Sequence, residues 1–442
     1  MGGEANVSSE PLLERIVAAF NRRADSPIVK LGLLALVALA VYVRDRRVFD
    51  SPRFWAEEGS AYFQYSETHP GLSGLANVAA VDYAPYAHPI PQLATWIAAN
   101  WVSLEHAPIV TTAAWVLVVL VVMCIALWGK AELLSTPLRR VAAIAALLLA
   151  VSNSEVWVNS LGAHVWADIG LLLLVLEGEH VAGRRRRLSL AVFTLLAILS
   201  PTSWMLLPAT LALCAHRWKA HRPYLVALGL VVATHVAVKA MVFASGARTP
   251  ATISEAAHLI VSKLLLWPLA GPGIADGYAQ QALRWDSATF KGVGLALALG
   301  LVALVVVFAR FSRRDATTSA LLWTHLTATA AFVFLGLGVG RNLLPLFHGA
   351  RYTWLPNALL ILLLAHQLDL RSVLSRKPPQ VALGLALAAA LVVGVTQYRY
   401  PLPIRAWSSA PDWRAEVARY RHDPAGRELA IAPSGWKVVV VK

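Results

Sequence analysis

Charge and cysteine are what this 442-residue sequence has least of: 14% of its residues are charged and two are cysteine. Soluble domains carry about a quarter charged residues, so a water-exposed surface is excluded for most of the chain. Cys124 and Cys214 lie in or at the end of apolar runs, which excludes a secreted disulfide framework and a cysteine metal cluster. Neither His-Glu-x-x-His nor Cys-x-x-Cys occurs, and no glycine-rich phosphate loop follows a strand. The lack of a cytosolic nucleotide-binding domain argues against an ATP-driven pump and against a transferase using a cytosolic nucleotide-sugar. Internal repeats, which transporters often carry as repeated halves, are also missing.

What is present is apolar. Hydrophobic residues make up 57% of the chain, and the mean hydropathy is +0.58. About 20 residues are needed to cross a bilayer core. On that criterion spans fall near 27–43, 109–128, 141–158, 161–177, 224–244, 292–309, 316–340, 353–368 and 381–396. Two shorter runs, 188–200 and 203–216, are separated by Ser200-Pro201-Thr202 and read as paired helices stopping at an internal cavity. The expected fold class is therefore all-α, a polytopic transmembrane helix bundle of about 11 crossings with a small outer C-terminal tail.

The net charge of +14 fits this layout. Basic residues gather in alternate short loops (Lys130/Arg139/Arg140, Arg184–Arg187, Arg217/Lys219/Arg222, Arg310/Arg313/Arg314 and Arg371/Arg376/Lys377), the positive-inside pattern. Nucleic acid is not an expected partner; membrane lipid is. The pattern predicts a cytosolic leader over 1–26, a membrane domain over 27–396 with outer loops 44–108 and 245–291, and an extracytoplasmic tail over 397–442. Ser26-Pro27 suits a helix start, and the first apolar run reads as a retained anchor. Within 245–291 the apolar stretch 256–270 is expected in the interface or dipping into the bilayer. The three prolines of Pro85–Pro91 predict extended chain.

Three groups of residues can carry chemistry. The first is Phe54-Trp55-Ala56-Glu57-Glu58-Gly59, just beyond the first span. Glu57 or Glu58 there can take a proton from a sugar hydroxyl, or form a solvated acidic turn capping an interfacial helix. Asp82 is a further outer carboxylate, with a turn-forming role as its plainer reading. The second group is Arg341 and His348-Gly349-Ala350-Arg351-Tyr352. An arginine at that outer mouth can hold a lipid-linked phosphate by paired hydrogen bonds or snorkel to headgroups; Arg351 has the stronger claim. The third is intramembrane: Lys239 with His235, and His164 with Asp168, each pair four residues apart on one helix face. Ionisable groups inside spans face the bundle interior or a wet cavity. No metal or other cofactor is indicated, although Glu57, Glu58 and Asp82 supply oxygen atoms for a divalent cation.

The layout resembles the GT-C class of membrane glycosyltransferases. Four short elements carry the resemblance: Ala56-Glu57-Glu58-Gly59 after the first span, the Ser200-Pro201-Thr202 break with Pro208 beyond it, Gly349-Ala350-Arg351-Tyr352 before a late span, and Pro433-Ser434-Gly435-Trp436 near the end. Glu58 stands where an Asp is more usual, and Gln92 where an Arg often follows a Pro. The resemblance implies a bacterial inner-membrane enzyme that moves a sugar from a polyprenyl-phosphate donor to a glycan or lipid acceptor on the non-cytosolic side. Glu57 or Glu58 is then the base, with Arg351, Lys239 and His348 on the departing phosphate, and one displacement inverts the anomeric carbon. The rivals are a glycan ligase or polymerase using a polyprenyl-diphosphate glycan, and a lipid-sugar flippase.

Overall fold

Ser26 opens the first helix as its position predicts. In the computed structural model its side chain accepts the Val29 N–H at 3.3 Å, Pro27 takes the first helical position, and α1 runs over Pro27–Arg44. The structure describes residues 25–76, 88–152, 156–242, 251–312, 315–336, 340–346, 348–368, 373, 376–398, 412–423 and 427–440.

The first outer segment is more helical than its prolines suggest. Glu58–Phe63 forms a π-helical turn that continues as Gln64–Thr68, together the acidic helix. Helix α2 spans Pro89–Trp101, where extended chain was expected up to Pro91. Prolines are tolerated in a first turn because the N–H they lack has no partner there. The bundle continues with α3 (Ala107–Trp128), α4 (Pro137–Leu149), α5 (Ala163–Glu177) and α6 (Gly183–Leu199). Helix α4 ends nine residues short of the expected 141–158 span. Residues 156–162 become part of the site below.

Helix α5 is the hub. It packs against α3 and α6, and every residue from Trp166 to Glu177 is buried. A helix apolar all round belongs inside a bundle. Gly170 permits this closeness, since a Cβ there would lie 2.9 Å from Leu196 Cδ1 and 3.2 Å from Val122 Cγ2. Small residues at helix contacts are how bundles pack when lipid replaces water.

The Ser-Pro-Thr break leads into α7, Leu207–Val242, which has a non-helical residue at Arg217 (φ −144°, ψ 71°). A straight helix of 36 residues would be about 54 Å long. Yet Ser203, just before its start, bonds to Ser200, and His235 meets the Ile198 carbonyl at 3.2 Å. Both ends therefore return to one place, and the helix doubles back at the basic bend.

Beyond it lie α8 (Ile253–Leu259, continuing through a π segment Ile260–Leu266 to Trp267–Ala270), α9 (Pro272–Arg284) and α10 (Ser287–Ser312). Then come α11 (Ala316–Ala330, extended by a π turn to Gly336), α12 (Trp354–Gln367) and α13 (Pro378–Thr396). Seven stretches among the described residues are long and apolar enough to cross a membrane, including α1, α10 and α13; Ile253–Ala270, which contains the 256–270 run expected in the interface or dipping into the bilayer, is one of them. Helix α10 leaves Leu295, Leu299, Val302 and Val306 exposed, as a face toward lipid requires.

The tail is small and ordered over its described part. Asp412 caps α14 (Trp413–His422) through the N–H groups of Arg414 and Ala415. Strands β1 (Glu428–Ile431) and β2 (Trp436–Val439) pair antiparallel. Together they pack on the acidic segment through a cluster of Phe54, Phe63, Trp413, Leu429, Ile431 and Val438.

Candidate functional site

The site begins with backbone strain. Ala56, directly before Glu57, has φ 29°, and Val158, two residues before Ser160, has φ 57°. Non-glycine residues avoid this region, a β-branched one most of all. Such strain persists only where the surroundings over-determine it. Here the strained residues flank one contact: the backbone N–H and the hydroxyl of Ser160 both donate to Glu58 Oε1, the hydroxyl at 2.6 Å. The Trp55 N–H donates to Glu58 Oε2 at 3.1 Å.

Glu58 is thus a buried carboxylate with both oxygens engaged. Burial pushes its pKa up to about 7, against the lowering effect of the Ser160 and Trp55 donors. Its neighbour Glu57 is placed differently. Glu57 Oε1 lies 3.8 Å from an Arg351 Nη1, with the arginine side chain 36% exposed and the glutamate 10%. The acidic turn and the late arginine loop meet.

Three devices hold Arg351. Its Nη2 donates to the Tyr352 hydroxyl at 3.0 Å, and its guanidinium lies 4.9 Å from the Tyr352 ring centre. Behind the loop, the buried Lys263 ammonium donates to the carbonyls of Pro345 and Leu346, at 3.0 and 3.1 Å, and to that of His348. Asn357, on α12 just past the loop, donates to the Lys263 carbonyl at 3.4 Å and to Val151 at 3.1 Å. Beneath the site four indoles, Trp115, Trp157, Trp166 and Trp354, form a wholly buried cluster. Their ring centres are 4.3–5.9 Å apart in successive contacts, Trp166 and Trp354 being closest. These indoles tie the loop before Ser160, the start of α5 and the start of α12 into one block.

On the far side stand His88, at the N-cap of α2, and His164. Their rings meet edge-on at 5.2 Å, and Tyr62 lies 6.0 Å from His88. His164 Nδ1 meets the Leu161 carbonyl at 2.6 Å, and the Arg351 charge is within electrostatic reach of it. One turn beyond His88 on the same face, Gln92 is buried with neither amide atom hydrogen-bonded among the described residues.

The sequence candidates therefore divide. Trp55, Glu57, Glu58, His164, Arg351 and Tyr352 come together. His348 contributes its carbonyl to Lys263, while its side chain is exposed. Asp168, although four residues from His164, accepts Ser200 Oγ and Thr202 Oγ1, each at 2.6 Å, and so fastens the Ser-Pro-Thr break. His235 meets the Ile198 carbonyl. Arg341 is committed to the carbonyls of Leu283 and Trp285, at 3.1 and 2.9 Å, and to the Phe290 ring. Lys239 falls near the end of α7, and Asp82 lies outside the described residues. Ser160, His88, Tyr62 and Lys263 were not foreseen. Of these only Lys263, a lone charge in an apolar run, gives a sequence signal.

Among the described residues no group of three His, Cys, Asp or Glu is placed to hold a metal ion. The arrangement offers one carboxylate–arginine pair, one buried carboxyl anchored by donors, and an aromatic-lined flank. Against protein-family models, curated proteins and solved structures alike, the chain finds no match.

Proposed function

We propose that the chain is a membrane glycosyltransferase of the GT-C type, taking a sugar from a polyprenyl phosphate at the outer face of a bacterial inner membrane. One observation carries the reading: Glu57 and Arg351, a general-base candidate and a phosphate-binding candidate from distant parts of the chain, stand 3.8 Å apart. Eleven crossings, a cytosolic N-terminus and an extracytoplasmic C-terminus are part of the same proposal, since they place this pair on the outer side.

The chemistry is a single displacement. Glu57 accepts the proton of an acceptor hydroxyl, whose oxygen attacks the anomeric carbon. The bond from that carbon to the phosphate oxygen breaks, and polyprenyl phosphate leaves with the electron pair. Arg351 stabilises the departing phosphate, because a fixed cation in a water-poor site acts strongly on charge that develops in the transition state. In the resting state Arg351 pairs with Glu57; an incoming phosphate draws the guanidinium away and leaves the carboxylate available as base. Glu58 is the structural member of the pair, engaged by Ser160 and Trp55. The Gln92 amide supplies a donor and an acceptor for sugar hydroxyls, and the flanking aromatics suit a sugar face.

The test is transfer in membranes from polyprenyl-phosphate monosaccharides, with Glu57→Gln and Glu58→Gln made separately. Glu57→Gln is expected to lose about 10²–10⁴ in rate with normal insertion. Normal turnover by Glu57→Gln removes the assignment. Oligosaccharide diphosphate donors run in parallel separate transfer from polymerisation, and translocation without glycosylation of any acceptor points to a flippase.

A further inference from the structure

We infer that Ile431 and Ala432, at the end of β1, are positioning residues for Glu57, because they clamp the acidic turn on both sides of that carboxylate. The inference rests on the reading of Glu57 as the base, and its test separates the two.

Ahead of Glu57, the Ala56 N–H donates to the Ala432 carbonyl, and the Ala432 N–H donates to the Phe54 carbonyl at 3.2 Å, making a parallel bridge between Trp55 and Ala432. This bridge spans the strained Ala56. Past Glu57, Ile431 fills the space a side chain at position 59 would need: a Cβ on Gly59 would stand 2.6 Å from Ile431 Cδ1 and 3.1 Å from Phe54 Cβ. Glycine in the acidic motif is thus explained by the tail. Further along the acidic helix, the Val439 N–H donates to Gln64 Oε1 at 3.2 Å, fixing β2 as well. A tail serving only as a membrane anchor or cap has no need to enter the backbone hydrogen bonding of residues 54–56. Once the bridge is lost, Ala56 can relax to an ordinary φ, which turns the Cα–Cβ direction of Glu57 away from Arg351.

The experiment uses the full-length protein in detergent, with Cys124→Ala and Cys214→Ala, carrying Glu57→Cys and Arg351→Cys. A short bifunctional thiol reagent reports how fast the two positions are bridged. Ile431→Ala is expected to slow bridging by roughly tenfold, the scale of coupling between contacting residues. Ala432→Pro, which deletes the N–H donated to Phe54, does the same. Ile431→Val restores bridging. Thermal unfolding followed in all three shows that bridging is compared between folded proteins. Bridging unaffected by both Ile431→Ala and Ala432→Pro overturns the inference, as does a loss that Ile431→Val fails to rescue. In the native-site protein, Ile431→Ala is expected to lower kcat with KM little changed. Slowed bridging, with no sugar transferred by the protein that keeps Glu57 and Arg351, upholds the clamp and removes the glycosyltransferase reading instead.

Discussion

Glu57 and Glu58 are adjacent in sequence and opposite in environment, and the difference sets their roles. Glu58 has a raised pKa of about 7, against an ordinary 4.5, because it is buried. Between those values the folded protein holds a proton that the unfolded chain has released, so stability falls as pH rises through the window. The melting temperature in detergent is expected to drop between about pH 5 and 7.5. Glu58→Gln should flatten that slope. The same change lowers stability by about 1–3 kcal/mol, because its amide group opposes the Trp55 N–H. A slope unchanged in Glu58→Gln would assign the pH dependence to another group. The acidic pair stood out in the sequence, since two carboxylates beside a glycine and aromatics at a membrane edge are costly unless solvated or used. Which of the two is anchored was not legible. That depends on Ser160, brought in from between α4 and α5 by a strained turn at Val158 that no local pattern marks.

At the scale of elements, the late loop depends on a cation inside α8. Lys263 is fully buried and donates to three carbonyls of residues 345–348. Replacing it with Met leaves those carbonyls unsatisfied, and each such buried group costs about 1–3 kcal/mol. Lys263→Met is therefore expected to expose the 340–352 loop to protease and to weaken binding of polyprenyl phosphate. Loop protection equal to that of the native protein would rule this out. The Ser200-Pro201-Thr202 break was legible as a break. Its hydroxyls instead secure Asp168, so the intramembrane carboxylate read as cavity-lining stabilises the helix pair. Helical spacing placed His164 and Asp168 on one face, but only packing decides that one reaches the site and the other reaches α6. Prolines misled the reading of α2, where their first-turn positions carry no penalty. His325 on α11 meets the Pro356 carbonyl on α12 at 3.0 Å.

At the scale of the whole molecule, length and hydropathy made an all-α, membrane-embedded chain legible. Seven stretches satisfy the length and composition of a crossing. The other apolar helices are shorter, such as α12 with 14 residues, about 21 Å. The proposed eleven crossings place the tail outside. In the cysteine-free protein, single cysteines at Ser434 and at Lys219 in the α7 bend are expected to be labelled by a membrane-impermeant thiol reagent only from outside and only from inside, respectively. Labelling of both from one side breaks the proposed topology. Orientation could be read only from charge bias, because a helix has the same geometry in either direction across a bilayer.

Four indoles in mutual contact beneath the site, edge-on or tilted, have an optical consequence. Coupled chromophores at ring separations of 4.3–5.9 Å give a near-ultraviolet dichroism signal that depends on their mutual angles. Because Trp354 follows Arg351 by three positions, a ligand that pulls the arginine loop is expected to turn that ring against Trp166. That signal is expected to report occupancy of the site before any ligand is identified.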